Sequence, residues 1–493
     1  MQYVSTRGAG PVTAAQAILM GLAPDGGLWT PQQLPRIPEG RMAGLFRLPY
    51  HQLAYAILQP FLEEFDRLET ILEETYSPGR FEECGPAPVS RLDQDTYLLE
   101  LYHGPTLAFK DLALQLLPRL MVESARIAGE DQGVLVLAAT SGDTGKAALE
   151  GFAGVPGTGV AVLYPNEGVS PAQRRQMVTQ PGKNVWVYAL EGNFDDAQRQ
   201  VKALQGDEPF LAALAEAKWR VSSANSMNIG RLLPQIVYYF YAYGRLVEAG
   251  RLALGEKVDF VVPTGNFGDI LAGWYARAMG LPVGELICAS NANRVLTDFF
   301  RQGSYDVHRP FHKTLSPSMD ILVSSNLERL LFEAADRDAG RVSEWMQALA
   351  REGRYTLPGW QTALEGIWAG CADDGMTCQA IADAYKQGRL VDPHTAVALH
   401  VLTQYRCAAP RRRPAVVLAT ASPYKFSTTV LKAIGQATDG RDGRQAILDL
   451  ESASGVPAPK AILRVWDMPE LHTQRGDAAA VRRSLMDFVR SAR

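Results

Sequence analysis

Residues 133–145 read Gly-Val-Leu-Val-Leu-Ala-Ala-Thr-Ser-Gly-Asp-Thr-Gly, and they decide the fold class. The first seven form a short, wholly apolar run, which is typical of a parallel strand buried on both faces. A glycine loop follows, and a helix is predicted from Lys146. Further strands are predicted at 160–164, 185–189, 258–262 and 415–419. Because strands alternate with helices, the sequence predicts an α/β fold with parallel sheets.

Two of the predicted strands lead into glycine-containing loops, at 140–145 and 264–269, and the second loop leads into a helix predicted from Ile270. Glycines let the backbone approach a ligand closely, and the free N–H groups of a helix start attract anions. Either loop alone could equally be a tight turn that binds nothing. The first loop lacks the Ser or Thr that a P-loop needs after Lys146, and the second lacks the three-glycine fingerprint of dinucleotide folds.

The chain divides into three predicted parts. Residues 1–95 carry apolar residues at helical spacing and are predicted to form a mainly helical N-terminal domain. Residues 96–430 contain the alternating strands and helices and are predicted to be the catalytic region, with a mostly helical insertion around 325–400. Residues 431–493 form a C-terminal segment.

The composition is that of an ordinary globular protein. The 493 residues carry a net charge of −4, and 47% are hydrophobic and 21% charged, so nothing favours binding to nucleic acid or to an anionic membrane. Neither a signal peptide nor an apolar run long enough to span a bilayer is predicted. The five cysteines are odd in number and widely spaced, which favours a reducing cytoplasm over a disulfide framework.

No metal site is expected from the spacing of the candidate ligands. Cys371 and Cys378 lack the close pairing of a zinc site. His308 and His312 have helical spacing, but Pro310 lies between them and no cysteine pair is near in the sequence.

Residues 101–112, Leu-Tyr-His-Gly-Pro-Thr-Leu-Ala-Phe-Lys-Asp-Leu, place Lys110 in a mostly apolar stretch. Burial lowers the pKa of an ammonium group, and a partly neutral lysine can attack a carbonyl and hold a Schiff base. A single such lysine is more often a surface residue whose stem packs on a helix. One cofactor, pyridoxal 5′-phosphate (PLP), would explain Lys110 and both anion-binding loops together.

Ordered motifs along nearly the whole chain carry a family resemblance. They are Tyr3-Val-Ser-Thr-Arg-Gly8, Pro24-Asp-Gly-Gly-Leu28, His103-Gly-Pro-Thr-Leu-Ala-Phe-Lys-Asp-Leu112, Thr140-Ser-Gly-Asp-Thr-Gly145, Gly192-Asn-Phe-Asp-Asp196, Asn225-Ser-Met-Asn228 with Arg231, Gly265-Asn-Phe-Gly268, Ser318-Met-Asp-Ile321 with Ser324-Ser-Asn326, Val391-Asp-Pro-His-Thr-Ala396 and Thr420-Ala-Ser-Pro-Tyr-Lys-Phe426. With these motifs the chain resembles the threonine synthase family, in its longer type found in bacteria and fungi. The resemblance implies a fold-type-II (tryptophan-synthase-β-like) PLP enzyme with two parallel-sheet α/β subdomains, a mainly helical N-terminal domain and a helical insertion.

The resemblance also implies which residues bind the cofactor. Lys110 would carry the Schiff base and move protons at the substrate carbons, and Thr420 would hydrogen-bond the pyridine nitrogen. Asp143 holds the position of an asparagine that touches the PLP 3′-oxygen in relatives, where an acid would repel a phenolate unless a proton is shared. The PLP phosphate would be bound by the backbone of Gly265, Asn266, Phe267, Gly268 and Asp269.

The substrate-binding residues that the resemblance implies are of two kinds. Ser141 would bind the substrate carboxylate. Thr144, Ser226 and Arg231 would bind the substrate phosphate, a task for which the planar fork of arginine is well shaped. The N-terminal residue Arg7 is a further candidate, for closing the N-terminal domain on the site.

The implied reaction is the PLP-dependent conversion of O-phospho-L-homoserine and water to L-threonine and phosphate, by γ-elimination and β-hydration. That would make the chain a carbon–oxygen lyase acting on phosphate, at the last step of threonine biosynthesis, and the longer family members imply a monomer. Two alternatives stay open on sequence alone. A phospho-lyase that stops at 2-oxobutyrate would have nearly the same loops, and a non-catalytic PLP-binding homologue would still bind the cofactor.

Overall fold

The computed structural model describes residues 1–140, 142–166, 169–409, 412–438 and 440–491. The chain begins with a mainly helical unit around a small antiparallel sheet of order β2-β1-β3. Its elements are β1 (Gln2–Ser5), β2 (Val12–Thr13), α1 (Ala14–Met20), β3 (Trp29–Pro31), α2 (Glu39–Phe46), α3 (Tyr50–Leu58), a 3₁₀ helix (Gln59–Phe61) and α4 (Leu68–Thr75). The mainly helical N-terminal unit of the expected fold class is confirmed.

Alternating strands and helices follow this unit. They are β4 (Val89–Arg91), β5 (Thr96–Glu100), α5 (Lys110–Leu114), α6 (Leu117–Ile127), β6 (Gly133–Ala139), α7 (Asp143–Phe152), β7 (Thr158–Pro165), α8 (Pro171–Val178), β8 (Val185–Leu190), α9 (Phe194–Gln205), α10 (Glu208–Glu216) and β9 (Trp219–Ser222). The strand predicted at 133–139 has these bounds. Helix α7 begins three residues before the predicted Lys146, because Thr140 Oγ1 accepts the N–H groups of Gly142 and Gly145 and so supplies acceptors that a helix start lacks.

The second half of the chain repeats the alternation. Its elements are α11 (Ile229–Glu248), β10 (Val258–Pro263), α12 (Gly268–Ala278), β11 (Val283–Ser290), α13 (Val295–Gln302), β12 (Ser304–Asp306), a 3₁₀ helix (Pro317–Met319), α14 (Leu327–Ala334), α15 (Ala339–Glu352), β13 (Arg354–Thr356), α16 (Trp360–Ala363), β14 (Ile367–Cys371), α17 (Asp374–Lys386), α18 (Pro393–Ala408), β15 (Ala415–Ala419), a 3₁₀ helix (Pro423–Phe426), α19 (Ser427–Ala433), α20 (Gly443–Ser454), α21 (Lys460–Asp467), β16 (Arg475–Gly476) and α22 (Ala478–Ser491). Helix α12 begins two residues before the predicted Ile270, inside the glycine loop.

Within the described ranges, two larger sheets form the body of the protein. One has the order β16-β8-β7-β6-β9, and all of its neighbouring strands are parallel. The other has the order β14-β11-β10-β15-β5-β4 and is parallel except for β4, which pairs antiparallel with β5. The two parallel-sheet α/β subdomains expected from the sequence are confirmed. Strand β6 is wholly apolar, as is typical of a parallel strand buried on both faces.

The segment around 325–400 is mostly helical, as expected, but it also completes one sheet. Strand β14 lies within it and pairs in parallel with β11 from Leu286 to Ser290. The segment therefore packs as part of the second subdomain in addition to adding helices. Its short run Ile367–Cys371 contains two small residues, Ala369 and Gly370, so the apolar signal of a buried strand was weak.

The carboxyl ends of β6, β10 and β15 lead into α7, α12 and the segment from Thr420, respectively. Ligands of open α/β sheets collect at such strand ends, and these three junctions hold most of the residues singled out in the sequence. In the part of the chain that the structure describes, no helix has both the length and the apolar character needed to cross a lipid bilayer.

Candidate active site

Lys110 is buried at the first turn of α5. Only 9% of the residue is exposed. The backbone before it is tied to the segment after β15, because Phe109 N–H donates to Thr420 O at 2.9 Å and Ser422 N–H donates to Leu107 O at 3.1 Å. Burial lowers the pKa of Lys110 to about 8, although Asp143 opposes the shift. A substantial neutral fraction is therefore present near neutral to mildly alkaline pH, which a nucleophilic lysine requires.

The Lys110 amine lies between a hydroxyl and a carboxylate. Its Nζ donates to Ser318 Oγ at 3.2 Å, and it lies 3.9 Å from Asp143 Oδ2. The hydroxyl and the carboxylate come from different subdomains, Ser318 from the 3₁₀ helix Pro317–Met319 and Asp143 from the start of α7. The amine is thus held at the cleft between the two sheets.

Asp143 is an ionised carboxylate in a buried position. Burial by itself would raise the pKa of this carboxyl, but ion pairs with Lys425 and Lys110 hold it well below its usual range. Lys425 Nζ lies 2.7 Å from Asp143 Oδ1, and Gln173 Nε2 donates to the same oxygen at 3.2 Å. A proton shared from Asp143 is therefore not available to an oxygen placed beside it.

The loop between β10 and α12 is shaped for close approach by a ligand. A Cβ added at Gly265 would lie 2.6 Å from Ser318 O. Ser324 Oγ donates to Gly265 O at 2.7 Å, and Asn326 donates to Asn266 O through its backbone N–H and its Nδ2 at 3.1 and 2.9 Å. These bonds fix the loop carbonyls, while the N–H groups of the helix start remain without intrahelical acceptors and attract anions.

Phe267 and Asp269 adopt unusual states in this loop. Phe267 precedes α12 with a left-handed φ of 60°, which is uncommon for a bulky residue and typical of functional loops.

Asp269 Oδ1 accepts from Tyr238 Oη at 2.5 Å and Tyr239 Oη at 3.0 Å, whereas its buried Oδ2 has no hydrogen-bond partner among the described residues. Burial raises the pKa of Asp269 to about 7, so this acid is largely protonated below neutral pH.

Arg231 is a buried cation in the first turn of α11. The residue is 3% exposed, and its Nη1 donates to the backbone oxygen of Ala224 at 2.9 Å. Its Nε is buried and unpartnered within the described ranges. Burial lowers the pKa of Arg231 to about 10, and no carboxylate contributes to that value. A buried guanidinium without a carboxylate is costly unless an anion binds to it.

The remaining predicted residues lie around this cleft. Thr144 is half-buried in the first turn of α7, and Ser226 Oγ lies 3.5 Å from Ser325 Oγ. Thr420 is buried directly after β15. Ser141 lies outside the described residues. The structure thus brings Lys110, Asp143 and the 265–269 loop together around Ser318.

Arg7 and Arg329 connect the N-terminal unit to the residues beside this cleft. Arg7 Nε and Nη2 donate to the carboxylate of Glu328 at 2.9 and 2.8 Å. Arg329 is fully buried and donates to Trp29 O at 2.9 Å, to Met227 O at 2.7 Å and to the side chain of Asn326. The N-terminal unit is therefore fastened to α14, and α14 is fastened to the segment that precedes α11.

Sequence reasoning gave no role to Ser318, His394 or Asp392. The N–H of Ser318 donates to His394 Nε2 at 3.2 Å, and His394 Nδ1 lies 2.7 Å from Asp392 Oδ1. Nε2 accepts, so Nδ1 carries the proton. This series of hydrogen bonds holds Ser318 in place against Lys110. One aspartate and one histidine in the short motif 391–396 were the available signal.

The site fits a phosphate-bearing aldehyde. The buried Lys110 amine can form a Schiff base, the 265–269 helix start attracts a phosphate, and Gly265 leaves space that a side chain would fill. The unpartnered Arg231 Nε offers a second anion position at the start of α11. PLP and a phosphorylated substrate together require these two anion positions.

Family models match three parts of the chain. A model described as threonine synthase N terminus matches residues 2–76, one described as pyridoxal-phosphate dependent enzyme matches 82–370, and one described as threonine synthase, C-terminal matches 395–457. Together they extend over most of the sequence, and the second alone spans more than half of it.

Curated relatives are similar along most of the chain. The threonine synthase of Pseudomonas aeruginosa is 44% identical over 446 residues, which cover 89% of this chain and 91% of that protein. The threonine synthase of Corynebacterium glutamicum is 36% identical over 505 aligned positions that cover 99% of both chains.

Solved structures of the same kind share the architecture. A PLP-bound threonine synthase from Brucella melitensis superposes with a TM-score of 0.88 at 38% identity, covering 99% of this chain and 100% of that one. The yeast threonine synthase gives a TM-score of 0.89 at 32% identity, covering 99% and 98%.

Proposed function

The chain belongs to the threonine synthase family of PLP-dependent enzymes, and from that membership we propose how its own residues act on the substrate. It is a PLP-dependent lyase that converts O-phospho-L-homoserine and water to L-threonine and inorganic phosphate. The observation that carries the residue roles is the buried Lys110 amine, which lies beside Asp143 and Ser318 and has a pKa lowered to about 8.

We propose that Lys110 holds PLP covalently and serves as the proton carrier. When bound, PLP withdraws electrons from the substrate α carbon and stabilises negative charge there. With substrate in the site, the freed Nζ of Lys110 would take the proton from the α carbon. Ser318 Oγ, at 3.2 Å, keeps that amine within the cleft between transfers.

Proton movement at the next two carbons completes the chemistry. A proton is lost from the β carbon, phosphate leaves the γ carbon, and a proton is returned to the γ carbon. Water then adds its hydroxyl at the β carbon, and its remaining proton goes to the departed phosphate. Lys110 would return a proton to the α carbon before threonine leaves. The amine of Lys110 is the proposed carrier because its lowered pKa lets it take and return protons near neutral pH.

Two anion positions divide the phosphates between cofactor and substrate. The 265–269 loop, with Gly265, Asn266, Phe267, Gly268 and Asp269, is proposed to bind the PLP phosphate. Arg231, Ser226 and Thr144 are proposed to bind the substrate phosphate, which would give the unpartnered Nε of Arg231 an acceptor. Ser141 is proposed for the substrate carboxylate and Thr420 for the PLP pyridine nitrogen.

The product depends on whether the intermediate stays in the site until water has added. Release before water adds at the β carbon would yield 2-oxobutyrate and ammonia, so the cleft must stay closed until hydration is complete. The contacts of Arg7 with Glu328 and of Arg329 with Trp29 are proposed to hold the N-terminal unit over the cleft.

The direct test measures all products together. The PLP-loaded protein is incubated with O-phospho-L-homoserine, and threonine, 2-oxobutyrate and phosphate are quantified. Threonine equal to phosphate is the expected result. Phosphate accompanied by 2-oxobutyrate would instead indicate a phospho-lyase, and bound PLP without phosphate release would indicate a non-catalytic homologue.

We also propose the wider setting of the enzyme. The domains are 1–95, 96–430 and 431–493. A cytoplasmic location is supported by the unpaired state of Cys84, Cys288, Cys371, Cys378 and Cys407. A monomer is proposed from the resemblance to longer family members, and light scattering of the purified protein tests it: a mass near 53.9 kDa is expected, and twice that mass would contradict it.

A further inference from the structure

A second buried lysine lies on the other side of Asp143 from Lys110. Lys425 belongs to the 3₁₀ helix Pro423–Phe426, and its side chain is 1% exposed. Its Nζ lies 2.7 Å from Asp143 Oδ1 and donates to Thr106 O at 2.8 Å. Lys110 faces the other oxygen of the same carboxylate, Oδ2, at 3.9 Å. One buried carboxylate therefore lies between two buried lysines.

The charges that face Lys110 come from several elements. Asp143 on α7 attracts the Lys110 ammonium. Lys425 on the 3₁₀ helix Pro423–Phe426 and Arg231 on α11 repel it. Asp111, the next residue on α5, is engaged by the N–H and the hydroxyl of Thr106 and has its own pKa raised to about 6 by burial. His394 is a further titratable group near Asp143.

We propose that Lys425 is a positioning residue that controls the charge state of Lys110 through Asp143. Lys425 neutralises the carboxylate at close range, so that Asp143 does not hold Lys110 as an ammonium. The Lys110 amine then remains available to the PLP aldehyde. The inference deepens the proposed function, because it rests on Lys110 as the residue that bonds PLP.

The distances from Asp143 to the two lysines support these different roles for Lys425 and Lys110. The 2.7 Å contact joins Asp143 to Lys425, and the 3.9 Å separation leaves Lys110 without a direct hydrogen bond to the carboxylate. Lys110 donates instead to the neutral hydroxyl of Ser318. Opposite charge nearby favours an ammonium and like charge disfavours it. Lys425 acts in both ways, since it weakens the pull of Asp143 and repels Lys110 directly.

The pairing of Asp143 with Lys425 would also reduce electrostatic repulsion between Asp143 and the cofactor. An isolated anion at position 143 would repel a phenolate oxygen of PLP. Paired with Lys425, the carboxylate becomes one half of a pair with no net charge. The acid at position 143 and the lysine at position 425 therefore form a unit.

The experiment measures how pH controls attachment of PLP to the apoenzyme. PLP is added at a series of pH values, the adduct is trapped with borohydride, and the modified Lys110 peptide is quantified by mass spectrometry as a function of time. The midpoint of the rate–pH profile reports the charge state of Lys110 without any need for turnover. The variants are Lys425→Met, Asp143→Asn and the two combined.

The charge argument predicts an order of midpoints. Lys425→Met leaves Asp143 facing Lys110 alone, so its midpoint should rise by about one pH unit, which is a tenfold change in the neutral fraction. Asp143→Asn leaves Lys425 alone, so its midpoint should fall. The double variant removes both charges and should return close to the wild-type value. Lys425→Arg, which keeps the charge, should restore most of the wild-type midpoint.

Lys146→Met is the matched control, because Lys146 is also a buried lysine paired with a carboxylate, Glu150, at 2.9 Å. Its midpoint should equal that of the wild type. A purely structural role for Lys425, through its bond to Thr106 O, would give Lys425→Met a shift that Asp143→Asn does not reverse, and this would overturn the proposal. An unchanged midpoint in Lys425→Met would overturn it as well.

Two further outcomes are decisive. If Lys425→Met does not fold, Asp143→Asn still tests the proposal, since an Asp143→Asn midpoint at or above the wild-type value contradicts it. If the wild-type protein forms no adduct at Lys110, the proposed function itself fails. An adduct at Lys110 with the midpoints out of order refutes only the role of Lys425.

Discussion

Lys110 and Ser318 are separated by 208 positions in the chain, yet Lys110 Nζ donates to Ser318 Oγ at 3.2 Å. This bond joins the start of α5, which follows β5, to a 3₁₀ helix that lies between β11 and β14 along the chain. Ser318 is held from its far side by His394, which in turn is held by Asp392. The position of the proposed proton carrier therefore depends on a segment far away in the sequence and on a buried series of hydrogen bonds.

Ser318→Ala should slow the reaction while leaving PLP attached. The substitution removes the hydroxyl that holds the free Lys110 amine but keeps the N–H that donates to His394. A misplaced proton carrier typically costs one to two orders of magnitude, so we expect kcat to fall about 10- to 100-fold. Steady-state kinetics and the absorbance of bound PLP measure the two effects. An unchanged kcat would show that Ser318 does not position Lys110.

Gly265→Ala should weaken PLP binding. A Cβ at this position would lie 2.6 Å from Ser318 O, a backbone atom that can move only with the 3₁₀ helix around it. We expect the dissociation constant of PLP, measured by fluorescence titration of the apoenzyme, to rise at least about tenfold. Gly40→Ala in α2 is the control, because its Cβ would meet no atom within 4 Å. Equal affinity in both variants would contradict the close approach.

Asp269→Asn should change how stability depends on pH. Burial raises the pKa of Asp269 to about 7 in the folded protein, whereas an unfolded aspartate titrates near 3.9. A raised folded pKa contributes stability that is fully present below about pH 3.9 and is lost as the pH rises towards 7. Asp269→Asn does not lose this stability. The unfolding free energy of the variant minus that of the wild type should therefore increase between about pH 3.9 and pH 7, by up to about 1.4 kcal/mol per pH unit.

Urea unfolding of the apoenzyme and of Asp269→Asn at several pH values measures that difference. Contributions from other titrating groups cancel, because both proteins contain them. A constant difference between pH 4 and 7 would mean that Asp269 is ionised in the folded state.

Arg231→Met should separate catalysis from folding. Among the described residues Arg231 has no carboxylate partner, so its removal relieves a desolvation cost. We expect the unfolding free energy to stay within about 1 kcal/mol of the wild type. Turnover should be lost with PLP still attached, because the substrate phosphate loses its guanidinium. Arg329→Met is the contrasting variant. Its three hydrogen-bond acceptors would be left buried, at a cost of about 3 kcal/mol.

Chemical unfolding and product assays of both arginine variants check these expectations. A large loss of stability in Arg231→Met would mean that Arg231 is structural. Full turnover in Arg231→Met would remove it from the proposed phosphate site.

The parallel-sheet architecture was predictable because several of its strands, such as β6 and β15, are continuous apolar runs. The runs at 133–139 and 415–419 have the bounds of β6 and β15. The starts of α7 and α12 were placed late, since each helix begins inside a glycine loop where side-chain and loop contacts replace the usual helical signals. Strand β14 was hidden within a helical segment because its run is short and contains Gly370.

The burial of Lys110 could be inferred from its apolar neighbours, and the burial of Arg231 could be inferred only from the family resemblance. The partners of Lys110 could not be inferred from the sequence, since Ser318 and Asp143 are brought to it only by tertiary packing. Lys425, between Tyr424 and Phe426, had the same local signal as Lys110, an apolar setting for a cation, and its pairing with Asp143 is the part that sequence alone leaves open.

The most direct test of the account is to locate the covalent bond to PLP. The PLP-loaded protein is reduced with borohydride, digested and analysed by mass spectrometry, in parallel with Lys110→Ala and with Lys146→Ala as a second buried lysine. The account predicts a pyridoxyl label on Lys110 in the wild type and in Lys146→Ala, and neither label nor threonine formation in Lys110→Ala. Labelling at another lysine, or threonine formation by Lys110→Ala, would contradict it.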